Sequence, residues 1–184
     1  MTNKRANIIR DETGVAATEF ALLLPVLMAL VLGVYEISRY ILLHQKIERV
    51  AYTVADVVGQ QTSVTNAGLS DIVAAASKIM DPYDFEQNGV VIVTSVYQDP
   101  DDGPVVRWQY KGGGVLDRES RIGASGDEAE LPNGLALNEN DNVIFAEIFY
   151  NYIPDFDEEY FDDRENYKYA VFKPRLGALT TAPN

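Results

Sequence analysis

Positions 20–35 form sixteen consecutive residues without a charge, apolar throughout except for Gly33 and the ring hydroxyl of Tyr35. Extending the run back to Val15 gives about 21 residues, and a helix of that length rises about 30 Å, the hydrocarbon thickness of a bilayer. A helix that is apolar all round needs either lipid or a large surrounding core, and a chain of 184 residues is short for such a core. The run therefore predicts a membrane-spanning helix.

From residue 36 to 58 the pattern changes. Ile37, Tyr40, Ile41, Ile47, Val50, Ala51, Val54, Val57 and Val58 recur at spacings of three and four, with His44 on the same stripe, while Arg39, Lys46, Glu48, Arg49, Thr53 and Asp56 lie opposite. That is an amphipathic helix. No breaker separates the two patterns, so a single helix over 15–58, about 65 Å long, is predicted. Its first half lies in lipid and its second projects from it. Pro25 falls in the lipid half, where membrane helices tolerate the freed carbonyl.

Gly59 ends the pattern, and 60–68 reads as a polar linker. A short helix is predicted over 69–80, with Ser70 and Asp71 in its first turn, Ile72, Val73, Ala76 and Ile79 on one face, and Pro82 beyond its end. Residues 89–97 and 105–111 flank the turn cluster "DPDDGP" and read as a hairpin; 142–154 and 167–174 read as two further strands. The stretch 112–134 reads as a long polar loop. The predicted fold class is α+β, pilin-like: a long N-terminal helix, half transmembrane and half amphipathic, packed on a small antiparallel sheet whose apolar face it covers. The segments are a leader (1–14), the long helix (15–58) and an extracytoplasmic α+β domain (59–184).

Charge adds orientation. Residues 1–14 contain Lys4, Arg5 and Arg10, whereas 36–184 carry 12 basic and 25 acidic side chains, a net of -13. The basic flank is expected in the cytoplasm and the acidic remainder outside. No small-x-small cleavage site follows the apolar run, so it is expected to be retained. The negative field argues against nucleic acid as a partner. With no cysteine and one histidine, thiolate zinc sites and most nucleophile-and-base constellations are excluded.

One residue contradicts the apolar run. Glu19 sits five residues into "VAATEF", after Gly14, and a carboxylate at the bilayer centre costs about 2.5–3.5 kcal/mol, somewhat less near an interface. "RDETGVAATEF" resembles the class III signal of type IV prepilins. That resemblance implies a prepilin peptidase cutting after Gly14, a free amine on Val15, and Glu19 pairing with the amine of a neighbouring subunit. The longer stretch "GVAATEFALLLPVLMALVLGVYEISRYILLHQKIERVA" resembles the TadE-like family of tight-adherence (Tad/Flp) pilus systems. The residues that carry this resemblance are Gly14, Glu19, Phe20, Ala21, Pro25, Gly33 and Glu36. The chain is longer than the major pilins of those systems and shorter than their TadG-type relatives, and Phe20 stands where the major pilins usually have Tyr. "AEIFYNYIP" and "FKPR" resemble the C-terminal part of small TadE/TadF-type proteins more weakly.

The resemblance implies a minor pilin or pseudopilin in the bacterial inner membrane that takes part in surface adherence. Its partners would be membrane lipid, other pilin subunits, the prepilin peptidase and the Tad assembly machinery. Gly14 and Val15 are the processing residues and Glu19 and Phe20 the assembly residues. Ala17, Ala21, Ala29 and Gly33 are small residues that favour close helix packing in lipid. No cofactor, catalytic residue or metal ligand is expected. Two other classes stand beside this one: an unprocessed membrane-anchored periplasmic adaptor, and a Ca²⁺-dependent enzyme or lectin-like binder. The third class rests on "DPDDG" (99–103) and "DFDEEYFDD" (155–163), neither of which has the order of an EF-hand loop.

Overall fold

The computed structural model describes residues 13–154 and 164–184. The chain forms two compact units that divide after Tyr40. Helix α1 runs over Thr13–Gly59, with Pro25 inside it. Its residues 41–59 belong to the second unit, together with α2 (Asn66–Ser77), a 3-10 turn (Lys78–Met80), α3 (Phe85–Asn88) and four strands. These are β1 (Gly89–Asp99), β2 (Gly103–Gly112), β3 (Asn142–Tyr152) and β4 (Arg164–Phe172). They form one antiparallel sheet in the order β2-β1-β3-β4, so the second unit is α+β.

Within the second unit, α1 packs on the sheet through Leu43, Ile47, Val50, Ala51, Val54, Ala55 and Val58, all completely buried. Their spacing is that of a helical seam. The expected stripe is corrected at its start, because Ile41 is half exposed and Leu43 takes its place. At 3.6 residues per turn Ile41 lies about 120° around the helix from Ile47, too far to reach the same core. The end of α1 is fixed to the strand beside it: Tyr52 meets Phe172 edge-on at 6.2 Å, and the carbonyl of Gly59 accepts from the Arg175 N–H at 2.8 Å.

Helix α2 starts three residues before its expected first turn. Thr65 is its N-cap and accepts from the Gly68 N–H through its side chain, so the first turn is Asn66 onward rather than Ser70 and Asp71. Its buried face is Leu69, Val73 and Ala76, continued by Met80, with Ile72 and Ile79 only half buried. The hairpin and the two later strands stand where they were expected, with shifted ends: β1 and β2 are longer, β3 stops at Tyr152 and not at 154, and β4 runs over 164–172 and not 167–174.

The sheet is buried on both faces. Val91, Val93, Ile144, Ala146 and Ile148 share one face, while Val90, Ile92, Val96, Phe145 and Phe149 share the other. The second face is covered by 113–141, most of which lies in the stretch 112–134 read as a polar loop: Ile122 and Ala129 pack with Val96, Val106, Val143 and Phe145, and Leu116 packs with Val90, Ile92 and Phe149. Its sparse apolar residues act as plugs, and its backbone bonds to strand groups, among them Ala129 N–H to Pro104 O at 2.7 Å and Leu116 N–H to Gly89 O at 3.2 Å. The polar loop is thus the sheet's second cover.

Candidate functional site

All eight residues singled out for processing, assembly and helix packing lie on the first part of α1. Residues 14–34 are exposed at every position, with Phe20 59%, Leu22 77% and Val31 69% exposed. An 18-residue window of this helix has a mean hydropathy of 2.3 and none of it is buried. A core helix of that apolarity would be enclosed by protein. By length and composition this one is able to cross a membrane.

The geometry along this helix follows from the 3.6-residue turn. Val15 and Glu19 are four apart, one turn above the other on the same face. Ala17, Ala21, Pro25, Ala29 and Gly33 form one unbroken i to i+4 row, a ridge without long side chains. A Cβ built on Gly14 or on Gly33 meets nothing within 4 Å. Neither glycine is demanded by the helix itself.

Two hydroxyls mark the ends of the run and both are satisfied locally. Thr18 Oγ1–H donates to the carbonyls of Val15 (2.8 Å) and Gly14 (3.3 Å), and Ser38 Oγ–H donates to that of Val34 (2.7 Å). Such back-bonding removes the cost of a bare hydroxyl in hydrocarbon. At the C-terminal end of the run the Arg39 guanidinium lies 5.8 Å from the Tyr35 ring centroid, and an aromatic with a basic neighbour is a common arrangement at a lipid head-group layer. The peptide bond between Gly14 and Val15 lies within the first turn of α1, with its carbonyl held by Thr18.

Among the described residues the other acidic candidate has a structural role. In "DPDDG" the Asp99 carboxylate pairs with Arg107 at 3.0 Å and accepts from the Asp101 N–H at 3.1 Å. Among the described residues no group of three His, Cys, Asp or Glu side chains is placed to hold a metal; 155–163 lies outside them. Trp108 is buried and donates to the Leu179 carbonyl at 2.7 Å. Gly114 is a packing glycine, since a Cβ there would lie 2.3 Å from Gly89 O.

One residue was missed. Glu147, completely buried in the middle of β3, accepts from Ser120 Oγ–H, from the Arg121 N–H (2.9 Å) and from Tyr167 Oη–H (2.9 Å). Burial raises its pKa against those three donors. The Arg121 guanidinium stacks on the Tyr167 ring at 4.1 Å and pairs with Glu165 at 2.9 Å, which Arg118 also holds at 2.5 Å. This cluster fastens the second cover to the sheet. Its signal in the sequence was an acid inside the apolar run "VIFAEIFY".

Neither the curated proteins nor the solved structures gave a match to the chain. A family model did: residues 14–56, the apolar run and most of the amphipathic stretch after it, match the model of the TadE-like protein family, and that segment implies a protein associated with the Tad pilus.

Proposed function

We propose that the chain is a minor pilin or pseudopilin of a Tad/Flp pilus: a non-enzymatic, single-pass subunit of the bacterial inner membrane that joins or initiates the filament used in surface adherence. The observation that carries this reading is that the TadE-like match begins at Gly14 and that the first part of the helix it covers, residues 14–35, is exposed on every side. Residues 1–14 are a cytoplasmic leader, 15–58 the membrane and amphipathic helix, and 59–184 a periplasmic domain. The basic residues near the N-terminus and the acidic remainder support that orientation.

In this reading a prepilin peptidase cuts between Gly14 and Val15. The new amine and Glu19 lie one turn apart on one face, so each is placed to relieve the other's charge, on its own helix or on an adjacent one. The small ridge of Ala17, Ala21, Ala29 and Gly33 lets a second helix approach closely, and Phe20, next to Glu19, is part of the assembly surface. The partners are lipid, pilin subunits, the peptidase and the assembly machinery.

The test is location. Surface filaments sheared from cells and separated from membranes are expected to contain the protein, and a Glu19→Ala variant is expected to stay in the membrane fraction. A wild-type protein found only in membranes, with filaments formed normally in its absence, would remove the pilin reading.

A further inference from the structure

The sequence contains two Asn-Gly pairs, Asn88–Gly89 and Asn133–Gly134, and the fold treats them oppositely. An asparagine before glycine is open to attack on its side-chain amide by the next backbone nitrogen, because glycine has no Cβ to shield that nitrogen. Gly89 is buried at the start of β1, where its N–H donates to Phe85 O and it pairs with Tyr150. A Cβ there would lie 2.4 Å from the Phe85 ring, so this nitrogen is enclosed.

Asn133 and Gly134 are exposed in the 3-10 turn Pro132–Gly134, and a Cβ on Gly134 would meet nothing within 4 Å. Asn133 has a φ of 54° and a ψ of 25°, the left-handed region, which a residue with a side chain occupies at a cost. The turn is held by Leu135 N–H donating to Pro132 O at 3.1 Å and by Asn133 Nδ2–H donating to Tyr169 Oη at 2.6 Å. Rotation of Asn133 toward the Gly134 nitrogen opens these bonds and disturbs no strand. On either side, Leu131 and Leu137 pack against the cluster that contains Val96, Val106, Val143 and Phe145.

We propose that Asn133 is a site of spontaneous covalent modification that alters the sheet's second cover. The Gly134 nitrogen forms a bond to Asn133 Cγ, the Cγ–Nδ2 bond breaks, and the proton of the attacking nitrogen leaves with Nδ2 as ammonia. Water then opens the cyclic imide at one carbonyl or the other, giving aspartate or isoaspartate. One water is taken up and one ammonia released, and nothing is oxidised or reduced. Both products place a carboxylate where an amide donated to Tyr169. Isoaspartate also adds a carbon to the main chain between Leu131 and Leu137, so the two anchors no longer fit at their original spacing. The change is one-way and marks the age of the protein. It is independent of the pilus-subunit reading.

The test uses the full-length, detergent-solubilised protein, held at neutral and at mildly alkaline pH and sampled over time by peptide mapping with mass spectrometry. A parallel sample is unfolded in guanidinium chloride. In the folded protein the peptide containing Asn133 is expected to gain the mass of an amide-to-acid change at least ten times faster than the peptide containing Asn88. The gain is faster at the higher pH, because the nitrogen attacks in its deprotonated form. In the unfolded sample the two peptides convert at similar rates. Asn133→Gln keeps an amide but must close a larger ring, so its peptide is expected to gain no mass. Equal rates for the two peptides in the folded protein overturn the proposal. So does an Asn133 peptide that stays unchanged when folded, and so does a mass gain that persists at full rate in Asn133→Gln, which would place the reaction on another asparagine.

Discussion

The carboxylate of Glu147 in β3 accepts a hydrogen bond from the backbone N–H of Arg121, 26 positions earlier in the chain, at 2.9 Å. This bond joins an irregular segment to the centre of a sheet, and Ser120 and Tyr167 close the shell around the same carboxylate. Removing the acceptor leaves three donors without it in a buried place. Glu147→Ala is therefore expected to destabilise the protein by about 3 kcal/mol. Urea unfolding of the detergent-solubilised chain measures this, and a change below about 1 kcal/mol would show that the segment is held by its apolar plugs alone.

Two carboxylates of this cluster have opposite pH signatures. Burial raises the pKa of Glu147 above its ordinary 4.5, so its contribution to stability is full below the ordinary value and declines as pH rises through the raised one. Glu165 is shifted downward, first by its hydrogen bond to Arg118 and then by Arg121, so its contribution is present above 4.5 and is lost as pH falls below it. The stability difference between wild type and Glu147→Gln should thus shrink with rising pH, and that between wild type and Glu165→Gln with falling pH. Parallel slopes in the two series would contradict this arrangement.

Two glycines separate packing from recognition. A Cβ on Gly114 would lie 2.3 Å from Gly89 O and 2.5 Å from Phe85 O, both backbone atoms, so Gly114→Ala is expected to lower the melting temperature by several degrees. Gly14 has open space around it, so Gly14→Ala should leave the melting temperature unchanged. Any loss of processing in Gly14→Ala then reports the peptidase's requirement and not a damaged fold.

The carbonyl of Gly14 accepts from Thr18 within the first helical turn. A bond in a helix must open to reach a protease in extended form, and Thr18→Val removes one restraint on that opening while keeping the shape of the side chain. In a pulse-chase measurement Thr18→Val is expected to be processed at least as fast as wild type. Slower processing would assign the hydroxyl to substrate recognition.

Glu19 and Phe20 stand on a helix whose surface is apolar and exposed, and Glu19→Gln keeps the size of the side chain while removing the charge. It is expected to reduce incorporation into filaments by tenfold or more while leaving unfolding of the second compact unit unchanged. Equal incorporation of wild type and Glu19→Gln would make the carboxylate an interfacial residue without an assembly role.

The long helix and the four strands were legible from composition and period: the apolar run and then the stripe at three and four along α1, the β-branched run of β1, and alternation in β2. Boundaries were set by single bonds that no period encodes. Thr65 begins α2 because its hydroxyl reaches the Gly68 N–H, a competition that Ser70 and Asp71 appeared equally fitted to win. The second cover was illegible as a cover because Leu116, Ile122, Ala129 and Leu131 follow no spacing; Ile122, Ala129 and Leu131 join one cluster on the sheet and Leu116 another. The signal lay in β3, where "VIFAEIFY" is apolar on both faces and so requires two covers. The apolar helix on which the candidate residues lie was legible as a pattern, since an exposed apolar helix carries its evidence in composition.

The central claim is that the chain becomes a subunit only after losing its first 14 residues. The direct measurement is the intact mass of the membrane-extracted protein from cells with and without their prepilin peptidase. The account predicts a chain beginning at Val15 when the peptidase is present and the full-length chain when it is absent. The full-length chain in both would contradict it and leave an unprocessed membrane-anchored adaptor in its place.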